Sequence, residues 1–432
     1  MIADDLTGAA DCAASSAALG CRAVVLLYSS EDQEYEAAWP DTDILSIDAN
    51  SRCLSAEKAS ELTTRLVRES DSHNVAVHEY VIFKKIDSTL RGNVATEIAA
   101  LLNARRSSNS MNANLSILMA PALPSQGRTT IGGRLLVHGV PLEKTDIWQT
   151  EARTAPSDIL QLLADANLSS KLIGTEIVRS DVNSLRRSIS QFAKHHDVVV
   201  CDAETDSDLH AIAEASLSVP TITALVGSAG LACQVPQLIG IAHNPDTPGW
   251  NLAAGPTLFV VGTAASVSRQ QARLLEAIPD VATIRVSATD LHESTSICRQ
   301  IIQDLQSGRD VLLMLNGGAN CSNSDWQLLS QTLSEQVSKL AQHLGALVAT
   351  GGETARAVLA ALGIHRLRLL GEVEPGLPFS VADSWVRPLP VITKAGAFGS
   401  PHALVRCRDF LRQLERAPAS LEAKSPLTGY KS

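Results

Sequence analysis

Residues 347–362, LVATGGETARAVLAAL, set the frame in which the rest of the chain is read. Leu347–Thr350 is a short run apolar on both faces. Gly351 and Gly352 make a turn, and Val358, Leu359 and Leu362 then recur at helical spacing. A strand apolar on both sides needs helices over both sides, which is the habit of a mostly parallel sheet. The same short runs recur at Ala23–Tyr28, Ile44–Ile47, Val81–Ile86, Ile117–Ala120, Val198–Asp202 and Ile222–Val226. A second series follows at Leu258–Gly262, Thr283–Val286 and Val311–Leu315, with Ala-rich helical stretches between. The expected class is α/β, in two domains that are each a mostly parallel sheet flanked by helices.

A length of 432 residues exceeds one ordinary core. The segment 242–256, AHNPDTPGWNLAAGP, carries three prolines and two glycines and reads as the linker between domains 1–241 and 257–416. Residues 127–145, GRTTIGGRLLVHGVPLEKT, read as a strand, a Gly-Gly turn and a returning strand. This is an antiparallel excursion from the first domain, suited to a flap or to a contact in a homo-oligomer. Past Arg416 the pattern loses apolar periodicity, so 417–432 reads as a frayed tail. Ile2 and Ala3 read as the end of a strand whose earlier residues would stand before Met1.

Composition narrows the function. A net charge of −10 without a basic stripe, and aromatics at 3%, weigh against nucleic acid as the main ligand. No apolar run reaches the roughly 18 residues of a membrane span, and the start lacks an export signal, so the expected compartment is the cytoplasm. The eight cysteines form no CxxC pair and read as reduced core residues. The eleven histidines include no HExxH, so no resident metal site is expected. GxxxxGK[ST], GxSxG and GxGxxG are all missing, which disfavours a P-loop enzyme, a serine hydrolase and a dinucleotide-dependent dehydrogenase.

In open α/β sheets ligands bind at the carboxyl ends of strands, so polar cargo there carries the argument. Asp4 and Asp5 lie at such an end, followed by Thr7 and Gly8; the pair suits a polyol's hydroxyls, or one Asp caps the next helix. Lys84–Asn93, KKIDSTLRGN, gathers Lys85, Asp87, Ser88, Arg91 and Gly92, a grip for a carboxylate. Pro121–Thr130, PALPSQGRTT, adds Arg128. Val226–Gly230 adds Gly227 and Ser228, where glycine serves close ligand approach or tight packing. In the second half, Gly262, Thr263, Ala265 and Ser266 form one small-residue turn, and Gly351, Gly352, Glu353 and Thr354 another whose free N–H groups favour phosphate. GEVEPGLPF (371–379) and KAGAFG (394–399) supply further loops, with Gly396 and with Lys394 as a phosphate partner.

Taken in order, IADDLTGA, KKIDSTLRGN, PALPSQGRTT, GRLLVHGVPLEKT, GSAGLA, TGGETA, GEVEPGLPFS and TKAGAFGS resemble the four-carbon acid sugar kinase family, from Ile2 to about Leu414. The resemblance implies an N-terminal sugar-acid domain, a C-terminal nucleotide domain, and ATP- and Mg²⁺-dependent phosphorylation of D-threonate, D-erythronate or 3-oxo-tetronate at the terminal hydroxyl. It implies substrate-side roles for Asp4, Asp5, Lys85, Asp87, Ser88 and Arg91; the mechanism expected from these residues has one of the three aspartates take the proton while Arg91 and Lys85 hold the carboxylate. It implies nucleotide-side roles for Gly262, Thr263, Gly351, Gly352, Glu353, Thr354 and Gly396. GEVEPGLP with TKAGAFG is more like the threonate or erythronate branch. Ala265 stands where many relatives have serine, which leaves backbone donors there. A non-catalytic sugar-acid sensor is the competing reading.

Overall fold

The computed structural model describes residues 1–29, 42–73, 80–108, 114–145, 148, 157–241, 252, 255–262, 265–286, 294–315 and 337–416. The expected tail 417–432, most of the expected linker, Thr263 and Cys321 lie outside these. Two compact units emerge: Met1–Cys12 with Ile47–Ile241, and Ala13–Ser46 with Ala242–Ser432.

In the first unit, with strands numbered along the chain, the order is β3 (Ile44–Asp48, entering the unit at Ile47), β1 (Ile2–Ala3), β4 (Phe83–Lys85), β11 (Ile222–Gly227), β5 (Ser116–Ala120), β10 (Val198–Cys201) and β9 (Ser170–Ile173). Every pairing from β3 to β9 is parallel. Their register aligns Asp48, Ala3, Lys85, Gly227 and Ala120 in one row across the carboxyl ends. All loops leaving that row emerge on one edge, which is why polar segments far apart in sequence can meet.

The helices follow from local chemistry. In Val182–Ala193 the buried Leu185, Ile189 and Ala193 recur every fourth residue, and the Asp181 carboxylate accepts from the N–H groups of Asn183 and Ser184. Asp206–Leu217 starts with a capping box between Thr205 and Asp208. Their apolar faces pack with Leu118, Val199 and Leu225 in one core. The expected excursion is a separate antiparallel sheet of β6 (Arg128–Ile131), β7 (Arg134–Val137) and β8 (Val140–Pro141). Its turn uses Gly132 and Gly133 at positive φ, with both N–H groups held by the Asp202 carboxylate at 2.6 and 3.0 Å.

The second unit has the order β13 (Val281–Val286), β14 (Asp310–Leu315), β12 (Thr257–Val261), β15 (Ala346–Thr350), β18 (Leu389–Lys394), β17 (Pro378–Ala382), β16 (Arg366–Glu372) and β2 (Ala23–Leu27). The first five are parallel; β17, β16 and β2 continue antiparallel. Two expectations change here. Antiparallel pairing is not confined to the first unit, because the stretch read as loops around GEVEPGLPF is a hairpin. In addition, 1–241 is not one piece: β2 pairs with β16, and Arg356 donates to the Tyr28 carbonyl at 2.7 Å, so Ala13–Ser46 folds with the C-terminal residues.

Among the described residues Cys12, Cys21, Cys201, Cys298 and Cys407 are buried, but Cys53 is exposed and Cys233 half-buried, so those two are not core residues. Among the described residues no helix is long and apolar enough to cross a membrane.

Asp310, fully buried at the start of β14, accepts from the Thr257 N–H at 2.8 Å, from Arg408 Nε at 2.6 Å and from Arg412 Nη2 at 3.0 Å. One carboxylate thus joins two strands to the helix Ala403–Arg416. Asp310→Ala leaves two guanidinium groups and an amide without their acceptor and is expected to cost about 3 kcal/mol. Urea unfolding should show a lower midpoint with an unchanged slope; an unchanged midpoint would refute the assignment.

Candidate active site

The first cluster is built on the β3–β1–β4 strand ends. Asp4 follows β1 and is almost fully buried. Arg52, four residues past β3, gives it two parallel hydrogen bonds, Nε to Oδ2 at 2.8 Å and Nη2 to Oδ1 at 3.0 Å. The same guanidinium gives Nη1 to Asp5 Oδ2 at 2.9 Å and lies 3.7 Å from Asp87 Oδ1. Asp5 also accepts from Thr7 Oγ1 at 2.8 Å and from the Gly8 N–H at 2.9 Å. It therefore caps the helix Leu6–Ala18 while its carboxylate faces the cluster.

Asp87 closes the group. Its carboxylate accepts from Arg91 Nη2 at 2.6 Å and from the Thr89 N–H at 2.9 Å, and from the Thr89 hydroxyl. The turn Asp87–Leu90 places Leu90 at φ +58° and Gly92 at φ +85°, and a Cβ on Gly92 would stand 3.3 Å from Arg52 Cγ. Lys85 donates to the Ile86 carbonyl at 2.9 Å. A Cβ on Gly8 would come within 2.9 Å of the Lys85 ammonium and 2.7 Å of Asp5 Oδ1, so the glycine lets these two approach.

Electrostatics follows. Burial opposes ionisation of Asp5, but Arg52 and Lys85 outweigh it and hold its carboxyl below the usual range. Burial also opposes ionisation of Asp87, yet Arg91 and then Arg52 hold it well below that range. Burial disfavours the charged Lys85, while Cys12, Asp4, Asp5 and Asp87 around it bind its proton more tightly than usual. At neutral pH Asp5 and Asp87 are carboxylates, ready acceptors for a hydroxyl.

The structure thus brings Asp4, Asp5, Lys85, Asp87 and Arg91 together, with Ser88 half-buried and Gly92 exposed on the same turn. Arg52 was missed. It meets the criterion used elsewhere, a polar loop (DANSR) after an apolar strand, and that signal was available in the sequence. Lys84 faces the opposite side of β4 from Lys85, as alternate strand residues must. There it pairs with Glu97 at 3.1 Å, both fully buried, and Glu97 also accepts from the Ser51 hydroxyl. Gly227 and Ser228, expected on the substrate, also make close contacts within the scaffold. A Cβ on Gly227 would lie 2.6 Å from the Ala120 carbonyl, and Ser228 Oγ, fully buried, donates to the Ala122 carbonyl at 2.6 Å. Arg128 opens β6, and its Nε and Nη1 are buried.

In the second unit the ends of β12, β15 and β18 stand side by side, with Val261 opposite Thr350 and Thr350 opposite Lys394. Gly262 ends the first, and the helix Ser266–Glu276 begins after Ala265 without a side-chain cap. Gly351, at φ +95°, precedes the helix Gly352–Ala361, again without a side-chain cap, so Gly352, Glu353 and Thr354 form its first turn. Uncapped helix starts favour negative charge. Gly396 lies in the loop after β18. Lys394 departs from the phosphate-partner reading: its ammonium, fully buried, donates to Ser268 Oγ, the Ala395 carbonyl and the Phe398 carbonyl, each at 2.9 Å. It is a post inside the loop 394–400, which Gln271 also holds by donating to the Phe398, Gly399 and Ser400 carbonyls. Among the described residues no group of three or more His, Cys, Asp or Glu is placed to hold a metal ion.

Comparison with known proteins matches residues 1–235 to a sugar-binding N-terminal domain and 258–404 to a nucleotide-binding C-terminal domain. The chain is 36% identical to the D-threonate kinase of Cupriavidus necator, over 97% of this chain and 99% of that protein. It is 30% identical to the D-threonate kinase of Salmonella typhimurium over 96% and 98%, and 27% identical to the D-erythronate kinase of Heliobacterium modesticaldum over 95% and 96%. In fold it is similar to a crystal structure of a Haemophilus influenzae protein, with TM-score 0.72 at 18% identity over 95% of this chain and 99% of that one.

Burial lowers the Lys394 pKa from the ordinary 10.5 to about 8. The unfolded chain therefore holds the extra proton between those values, and the lysine's contribution to stability rises with pH across that window. Lys394→Met leaves two carbonyls and a hydroxyl without their donor and should cost about 2–4 kcal/mol at pH 7. Denaturation of both proteins from pH 7 to 10.5 should show the gap between them widening above pH 8; a constant gap would contradict the burial argument.

Proposed function

Because this chain belongs to the four-carbon acid sugar kinase family, we propose that it transfers the γ-phosphoryl group of ATP to the terminal hydroxyl of a four-carbon sugar acid, D-threonate first and D-erythronate second. The relatives' names support that order, with 3-oxo-tetronate behind it. The observation that carries the reading is the convergence of Asp4, Asp5 and Asp87, held by Arg52, Lys85 and Arg91, at the carboxyl ends of adjacent strands.

In the step proposed, the hydroxyl oxygen bonds to the γ-phosphorus as the bond from that phosphorus to the bridging oxygen breaks and ADP leaves. The hydroxyl proton passes to one of the three aspartates. Asp5 and Asp87, with depressed pKa values, are good hydrogen-bond acceptors and weak bases. That suits a loose transition state in which the nucleophile is oriented early and loses its proton late. Gly262, Ala265 and Ser266, with Gly351–Thr354 and Gly396, offer the backbone donors and space for the nucleotide's phosphates. Mg²⁺ would neutralise phosphate charge when bound with ATP.

ADP release with MgATP against D-threonate, L-threonate, D-erythronate and 3-oxo-tetronate tests the reading. Release that depends on D-threonate is expected. Asp87→Asn should lower kcat by about 10²-fold or more while leaving ATP affinity within about twofold. Binding of an acid with no release under any condition would establish the sensor instead.

A further inference from the structure

Four cationic side chains stand at the substrate edge of the first unit, and three are tied to neighbours. Arg52 is bonded to Asp4 and Asp5. Arg91 gives Nη2 to Asp87 at 2.6 Å. Lys85 donates to the Ile86 carbonyl and lies in the field of all three aspartates.

Arg128 differs. Its Nε and Nη1 are both buried, and among the described residues neither has a hydrogen-bond partner. Asp87 and Arg91 act on it through space, which puts it beside the cluster, yet among the described residues no carboxylate is hydrogen-bonded to Nε or Nη1. Slack in the chain does not explain this. The Leu123 N–H donates to the Arg128 carbonyl at 2.8 Å and the Arg128 N–H to the Leu123 carbonyl at 3.1 Å, immediately after Gly127 in the left-handed turn conformation. The residue is pinned to the loop that leaves β5, in the same row of strand ends as Lys85 and Gly227. Two buried donors on a half-buried arginine, without an acceptor, are unfavourable by themselves and become favourable when an anion fills them.

We propose that Arg128, rather than Arg91 or Lys85, receives the carboxylate of the sugar acid and so makes the site select an acid over the corresponding uncharged compound. The assignment rests on the kinase reading above. It accounts for a division of labour: Arg52, Lys85 and Arg91 keep the aspartates ionised for the hydroxyl end, and Arg128 is left for the opposite end of the substrate.

Calorimetric titration of the full chain with D-threonate and with its neutral amide separates the roles. Arg128→Gln should weaken D-threonate binding about 10- to 100-fold, leave the amide within about twofold, and leave the affinity for a non-hydrolysable ATP analogue unchanged. Arg128→Lys should recover part of the loss, and it decides the matter if the glutamine variant fails to fold. Equal weakening of acid and amide, or no weakening of the acid, would overturn the assignment; the kinase reading would survive if the unsubstituted protein still phosphorylated the acid. Failure of the unsubstituted protein to bind any of D-threonate, D-erythronate and 3-oxo-tetronate would overturn both.

Discussion

Three carboxylates cannot share one strand edge unless cations stand among them, and the Arg52 guanidinium is the group that makes this edge possible. Like charges a few ångströms apart in a partly dry site repel strongly, and the usual outcome is protonation of one of them. Here Arg52 takes Asp4 in a two-bond grip, reaches Asp5 at 2.9 Å with its third nitrogen and lies 3.7 Å from Asp87. A lysine in its place would offer one ammonium and no fork. The glycines around it follow from the same demand: Gly92 leaves room against the Arg52 side chain, and Gly8 lets Lys85 come up to Asp5.

What holds Arg52 in turn lies on the other face of the sheet. Ser51 and Arg52 both give their N–H groups to the Asp4 carbonyl, and the Ser51 hydroxyl bonds to Glu97. Asn93, on the turn that also carries Arg91, donates to the Ser51 carbonyl at 3.1 Å and the Leu54 carbonyl at 2.9 Å. Glu97 is itself neutralised by Lys84, so a buried ion pair below the sheet steadies a loop above it. Such a pair contributes little net stability, and its worth here lies in fixing where the guanidinium stands. The dipeptide Lys84–Lys85 thus supports the site from both faces because strand geometry sends its two side chains apart.

How far sequence reasoning reached depends on how local each signal was. Strands apolar on both faces, such as Leu347–Thr350 and Val198–Cys201, were legible because burial on two sides leaves a run no polar position interrupts. Arg366–Glu372 was not, because its burial alternates and Arg366 and Arg368 sit among its leucines; their partner, Asp383, lies beyond the next strand. The placement of Ala13–Ser46 was equally hidden, since nothing local to β2 says that its neighbour is β16. In the site, neighbours inside one motif reinforced one another, whereas the loop DANSR carried the strand-end signal alone, because Arg52's partners lie 47 and 48 residues away. Gly227 and Ser228 were ambiguous because a glycine turn for packing and one for a ligand look alike until the opposing backbone is seen, and here Ala120 stands against Gly227.

Lys394 shows the same ambiguity resolved by counting donors. A lysine after a parallel strand, in a glycine-bearing loop, reads as a phosphate contact, yet an ammonium has three hydrogens and this one shares them among four oxygens of its own unit. Its charge, buried and with its pKa lowered to about 8, is held by carbonyl dipoles in place of a counter-ion. The loop it organises brings Gly396 to the strand-end row, while Ser268 and Gln271 bind that loop to the helix after Gly262. Positive charge at this edge therefore acts through shape, by fixing the backbone of the loop after β18. In the first unit Lys85 stands instead among three carboxylates, so the two units place lysine at a strand end in opposite electrostatic settings.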